Sequence, residues 1–173
     1  AERMAGLEVS SVYLGIVGSQ VSVINNRGVV AVSGQDKEIR EEDVDRVMQA
    51  ARVIALPPEK EIIDVLPREF IVDGYDGIRD PVGMIGVRLE VDAMVITGMT
   101  SSIRNMLRCV NRAGLEIDGI VLNSLANAET VLSRDEKELG VFLVDIGGGT
   151  AEIAIFQNGA LQDIAVIPVG GSY

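Results

Sequence analysis

Apolar positions along the chain fall into two regimes. Residues 12–17 (VYLGIV), 21–24 (VSVI) and 29–32 (VVAV) are short apolar runs separated by Gly18-Ser19 and by Asn25-Asn26-Arg27-Gly28. They predict three strands with turns between them. Val44, Val47, Met48 and Ala51 recur at helical spacing, with Arg40, Glu41, Glu42, Asp45 and Arg46 on the other faces. This predicts an amphipathic helix, ended by Leu56-Pro57-Pro58 because proline has no N–H to donate. Residues 61–66 and 69–73 predict extended pieces broken by Pro67, and "DGYDGIRDPVGMIG" is dense in turn residues. "VRLEVDAMVIT" then alternates Val87, Leu89, Val91, Ala93 and Val95 with Arg88, Glu90 and Asp92, which predicts a half-exposed strand.

Beyond Thr97 the pattern changes. Thr100 or Ser101 can cap a helix with Ile103, Met106, Leu107 and Val110 on one face, closed by Gly114. A strand over 117–122 and a short helix over 125–132 follow, and Ser133-x-x-Glu136 has capping-box spacing for one more turn, ended by Gly140. Residues 141–146 form an apolar run that predicts a strand buried on both faces. Three glycines, Gly147, Gly148 and Gly149, separate it from a run holding Ile153 and Ile155. Asn158-Gly159 favours a two-residue hairpin turn, and 160–167 are apolar again. The first half therefore reads as a small α+β unit. The second alternates strand and helix and closes on a three-stranded meander whose first turn is all glycine.

Composition narrows the chemistry. The 173 residues, 47% hydrophobic, suffice for one good core or two small ones. Nothing approaches the ~18 uninterrupted apolar residues needed to cross a bilayer, and no signal peptide is visible. A net charge of −11 argues against a nucleic-acid partner. The single cysteine excludes an internal disulfide and suits a reducing compartment. The absence of histidine removes imidazole acid–base catalysis, Ser-His-Asp hydrolysis and histidine-ligated zinc. The chain opens without methionine and stops at "PVGGSY", just after a strand, so we expect a piece of a longer protein.

The glycine run carries the candidate chemistry. Glycines let backbone N–H groups approach phosphate oxygens, and a carboxylate at a strand end can hold magnesium through its waters. A permissive strand-to-strand turn is the plain alternative. Asp145 before the glycines and Thr150 after them tilt the balance toward phosphate. No Lys follows, as a Walker loop would require, and Glu152 stands where the last glycine of G-x-G-x-x-G would be. Other candidates read as structure. Arg104, Arg108 and Arg112 form a solvated helix face; Cys109 reads as a packed thiol; Glu41, Glu42 and Asp43 suit a helix's first turn, as do Asp135, Glu136 and Glu138 at theirs.

"LVDIGGGTAEIAIFQNGAL…IPVGG" resembles the second phosphate-binding hairpin of the actin-like ATPases. "EFIVDGYDGIRDPVGMIGVRLEVDAMVIT", "LRCVNRAGLEIDGIVL", "LANAETVLSRDEKELG" and "GLEVSSVYLGIVGSQV" narrow the resemblance to the FtsA family of cell-division ATPases, over essentially all residues. The resemblance implies an actin-like (ribonuclease H-like) α/β fold with an α+β insertion. Residues 1–17 and 98–132 would belong to subdomain IA, 18–97 to the inserted subdomain IC, and 133–173 to the start of subdomain IIA. It implies ATP and Mg2+ as ligands of the full-length protein, with Asp145 orienting the metal and its waters. Gly147, Gly148, Gly149 and Thr150 would contact the β- and γ-phosphates. The implied partners are FtsZ, other division proteins and further copies in a homo-polymer. The implied place is the cytoplasmic face of the cell membrane at the division site, reached through a C-terminal amphipathic helix outside these residues. The first phosphate hairpin and subdomain IIB also lie outside, so the 173 residues alone are not expected to hydrolyse ATP. The family commonly has Asp where this chain has Glu152, whereas Glu occurs there in MreB. Two other readings stay open: an interaction module with a vestigial nucleotide site, and an exopolyphosphatase-like phosphohydrolase, whose "DIGGGS-x-E" hairpin shares Glu152 but has Ser in place of Thr150.

Overall fold

The computed structural model describes residues 6, 8–16 and 21–172. The strands are β1 (Ser11–Ile16), β2 (Val21–Ala31), β3 (Lys60–Val72), β4 (Tyr75–Ile78), β5 (Arg88–Met99), β6 (Glu116–Leu122), β7 (Val141–Ile146), β8 (Ala151–Gln157) and β9 (Ala160–Ile167). The helices are α1 (Glu41–Ala51), α2 (Thr100–Arg112), α3 (Asn123–Val131) and α4 (Arg134–Leu139). They build three sheets: a parallel pair β1-β6, a four-stranded antiparallel sheet in the order β2-β5-β3-β4, and the antiparallel meander β7-β8-β9. Val17 and the Gly18-Ser19 break lie outside the described residues.

The central strand β5 organises the packing. Leu89, Val91, Ala93 and Val95 face α1 and join Val32, Ile39, Val47, Ala51, Val65 and Val72 in one core. The alternate residues Met94 and Ile96 point the other way. Met94 packs with Ala128 of α3 and with Ala154, Phe156 and Leu161 of the meander. Ile96 packs with Ile16 and Leu122 of the parallel pair. Strand β5 is thus buried on both faces over most of its length, where its alternation predicts half-exposure. Even Glu90 is 4% exposed, set between Arg27 and Arg88. Among the described residues, two side-chain ties join the four-stranded unit to the second half: Arg79 pairs with Glu138, and Arg68 donates from Nε (3.0 Å) and Nη2 (2.6 Å) to Gln162 Oε1.

Several local expectations are corrected. Residues 21–24 and 29–32 belong to one strand, because Asn25 to Gly28 serve packing rather than a turn. Asn26 Nδ2 donates to Ala51 O at 2.8 Å, and Arg27 pairs with Asp92 at 2.7 Å. Gly28 lies directly under α1: a Cβ there would sit 2.3 Å from Val47 O and 2.8 Å from Ala51 N. Likewise 61–66 and 69–73 are one strand. The register shifts between Pro67 and Glu69, and β4 pairs only with Phe70 and Val72, so the outer edge at Pro67 requires no N–H. Helix α1 ends at Ala51, before Pro57. Met99, not Thr100 or Ser101, occupies the α2 cap, without a side-chain hydrogen bond. Cys109 is exposed rather than packed. Asp43 does more than complement a helix dipole. It is fully buried and accepts hydrogen bonds from Ser33 N (3.1 Å), Ser33 Oγ (2.6 Å), Arg40 N (3.1 Å) and Arg46. Burial alone would raise its pKa, but Ser33, Arg46 and Arg40 together hold it far below the usual carboxylate range.

Candidate functional site

The meander forms as predicted. Ser133 and Glu136 close the capping box of α4 reciprocally, and Asn158-Gly159 turns with both φ angles positive, at 53° and 73°. Strand β7 is not buried on both faces, however. It is the edge of its sheet, and Phe142, Val144 and Ile146 are 69%, 52% and 68% exposed. Its other face carries Val141 and Leu143 into the core shared with α3.

At the far end of β7 the chain passes through Asp145 into the three glycines. Gly147 N donates to Thr150 O at 2.9 Å, which closes the turn. None of the three glycines has a positive φ. A Cβ at Gly149 would meet nothing within 4 Å, and one at Gly148 only Ser172 Oγ at 3.5 Å. The turn itself therefore does not require glycine at 148 or 149. The chain after β9 braces the hairpin from one side, with Gly171 N donating to Gly147 O (2.9 Å) and Ser172 N to Gly148 O (3.0 Å). Gly170 must lack a side chain for this approach, since its Cβ would lie 2.5 Å from Gly147 O. The brace uses carbonyls. Among the described residues, the consecutive N–H groups of Gly148, Gly149 and Thr150 have no acceptor within the chain.

Asp145 and Glu152 face each other in the β7–β8 register, in opposite environments. Asp145 is exposed, and its Oδ2 accepts from Asn127 Nδ2 of α3 at 3.0 Å. Glu152 is 3% exposed, and among the described residues neither carboxylate oxygen has a hydrogen-bond partner. Burial pushes its carboxyl up, Asp145 adds to the rise, and the neighbouring Ser124 hydroxyl opposes it without completing a hydrogen bond. The five residues singled out in the sequence, Asp145, Gly147, Gly148, Gly149 and Thr150, thus lie at one end of the meander. Sequence reasoning missed Asn127 and Ser124, whose only signal is polar residues three apart in "NSLANA", and missed the bracing role of Gly170, Gly171 and Ser172.

The arrangement suits a phosphate. Unspent, successive backbone N–H groups with no side chains in front of them form an anion-binding surface. No group of three or more acidic or cysteine ligands that could hold a metal occurs among the described residues. A magnesium ion would therefore rest on Asp145, its own waters and phosphate oxygens, which is how that ion is commonly held.

Fold and hairpin together define the class: this is an actin-like fold carrying an inserted α+β unit. In fold it is similar to a solved chain of the "PilM-PilN type IV pilus biogenesis complex", with a TM-score of 0.55 and 18% identity over 87% of this chain and 40% of that one. Residues 18–97 match the family model "SHS2 domain inserted in FTSA". Residues 83–173 match the model "Ethanolamine utilisation protein EutA", which takes in β5 and the hairpin half. The curated relatives run through both halves. The chain is 53% identical to the cell division protein FtsA of Bacillus subtilis, 44% to that of Pseudomonas aeruginosa and 40% to that of Escherichia coli K12, each over 99% of its length. The chain belongs to the FtsA family. It spans 39–40% of the length of these relatives.

Proposed function

We propose that these residues form the second phosphate hairpin and the inserted subdomain of an ATP-binding cell-division protein. The observation that carries this reading is the run of three N–H groups at Gly148, Gly149 and Thr150 without an acceptor among the described residues, while the carbonyls of Gly147, Gly148 and Thr150 are occupied. In this reading Gly148, Gly149 and Thr150 donate to phosphate oxygens, Gly147 holds the turn, and Asp145 faces magnesium through water. The bound metal would offset phosphate charge. The chain's part is to present donors without side chains in the way and to keep one carboxylate open beside them. Residues 18–97 act as the inserted subdomain IC, with 1–17 and 98–132 in IA and 133–173 in IIA; the match of 18–97 to the FtsA insertion supports that division. Nucleotide occupancy governs self-assembly, and the whole protein links the FtsZ ring to the cytoplasmic face of the membrane at the division site. No helix among the described residues is long and apolar enough to cross a membrane.

The test compares two substitutions in full-length FtsA carrying this sequence. Asp145→Asn removes a charge beside a divalent cation and should weaken magnesium-ATP binding by about ten- to a hundredfold, with a smaller loss when magnesium is chelated. Gly148→Val places a branched side chain before the N–H groups and should weaken binding with or without magnesium. Unchanged affinity in both folded variants, measured by calorimetry, reduces the glycines to a turn.

A further inference from the structure

Helix α3 meets the site along one face. Ser124 and Asn127, three residues apart, stand on the same side of the helix. Asn127 reaches Asp145, whose Oδ2 takes the amide N–H at 3.0 Å, while Oδ1 has no partner among the described residues. Asp145 also has no cationic partner there, so its full charge stays available. The bond joins two side chains 18 positions apart on different elements, in an exposed setting. Water competes for such a bond, so its contribution to stability is small. Its effect on geometry is larger. It ties one carboxylate oxygen, restricts the rotation of a short side chain at a strand end, and leaves the other oxygen free.

We infer that Asn127 is a positioning residue: it holds Asp145 so that one oxygen is presented to a magnesium-bound nucleotide at the glycine hairpin. The inference rests on the phosphate reading of that hairpin. Hydrogen bonds from partners outside the coordination sphere orient metal-facing carboxylates, and their loss lowers metal affinity without removing a ligand. A neutral amide suits the task, because a lysine or arginine here would cancel the charge it positions. The bond also reaches from α3, in the second half's strand–helix alternation, to the strand that carries the hairpin, so the packing of α3 sets the direction of the carboxylate.

The experiment uses full-length FtsA containing this sequence, with Asn127→Leu, close in size but unable to donate, and Asn127→Ala as a second variant should leucine disturb folding. Binding of ATP is measured by calorimetry with magnesium and again with a chelator, and melting is followed without nucleotide. We expect magnesium-ATP affinity to fall about tenfold, the low end for such partners, with magnesium-free ATP affinity and melting temperature unchanged. An equal loss with and without magnesium overturns the inference, since it points to a general disturbance of the hairpin. So does wild-type binding by both Asn127 variants while Asp145→Asn still loses magnesium-dependent affinity, a result that leaves the site itself standing. If Asp145→Asn is also silent, the phosphate reading falls and Asn127 falls with it.

Discussion

The two regions on either side of β5 each bury a carboxylate, and they treat it in opposite ways. In the inserted unit Asp43 is wholly enclosed and fully occupied, by Ser33, by the Arg40 backbone and by Arg46. In the meander Glu152 is almost as deeply enclosed, and its carboxylate oxygens have no hydrogen-bond partner among the described residues. The contrast extends beyond these two residues. The inserted unit covers one sheet face with its own helix and packs Leu89, Val91 and Val95 to zero exposure. The meander leaves Phe142, Val144 and Ile146 bare, and among the described residues three hairpin N–H groups have no acceptor and the hydroxyl of Ser124 on the adjoining α3 has no partner. The inserted unit satisfies Asp43 within itself, while Glu90 Oε2 there, like the Glu152 carboxylate, has no hydrogen-bond partner among the described residues. The meander adds open backbone donors, which the proposed function would use.

The sharpest test of this contrast is Val91→Asp against Asp92→Val, adjacent positions on β5. Val91 is fully buried, so an unpaired carboxylate there should cost about 3–5 kcal/mol and abolish cooperative melting of the inserted unit. Asp92 pairs with Arg27 near the surface, and its replacement should cost at most about 1 kcal/mol. Equal circular-dichroism melts would break the assigned register of β5.

Next in size is Asp43→Asn, which weakens a charge-assisted network and should destabilise by about 2–3 kcal/mol at neutral pH. The sign with pH follows from the lowered pKa. The stabilisation from Asp43 is present above its ordinary value of 3.8 and is lost as pH falls from there through the folded-state value. Acid titration of wild type should therefore show a loss of stability that Asp43→Asn does not share.

Gly28→Ala should follow, at about 1–3 kcal/mol, because the new methyl meets the α1 backbone, which cannot yield as a side chain can. Gly149→Ala is its counterpart in the meander. With open space at that position, it should shift stability by no more than about 0.5 kcal/mol in chemical denaturation. A Gly149 variant as unstable as the Gly28 variant would mean that the hairpin glycine is structural.

One expected effect has the opposite sign. Glu152→Gln replaces a buried carboxyl, unpartnered among the described residues, by a group that cannot ionise, and should raise stability by up to about 1 kcal/mol where the carboxyl is charged. Because the Glu152 pKa is raised, its favourable contribution is present below its ordinary value of 4.5 and is lost as pH climbs through the folded-state value. The glutamine variant should gain most above that range. A variant that destabilises at every pH would show that Glu152 has a partner which the meander alone does not supply.

Much of the fold was legible from local pattern. The α1 and α2 faces, the α4 capping box, the Asn158-Gly159 turn and the order of the meander all follow from periodicity and turn chemistry, which act over a few residues. The five hairpin residues were legible for the same reason: an acid, three glycines and a threonine in sequence. Their partners were not. Asn127 is 18 positions from Asp145, and Ser124 meets Glu152 only because α3 packs across the sheet.

What the sequence determined by itself is therefore the set of elements and the chemical character of the glycine turn, because both depend on neighbours along the chain. The tertiary structure decided the use made of ambiguous residues. Asn25 to Gly28 have the composition of a turn, yet they run as strand because α1 lies on Gly28 and takes a hydrogen bond from Asn26. The runs of β5 and β7 are both apolar, yet β5 is enclosed and the outer face of β7 is bare, since burial depends on what covers a face. A side chain's polarity is a local property. Whether it is satisfied, strained or free is settled only by the atoms that the fold brings to it.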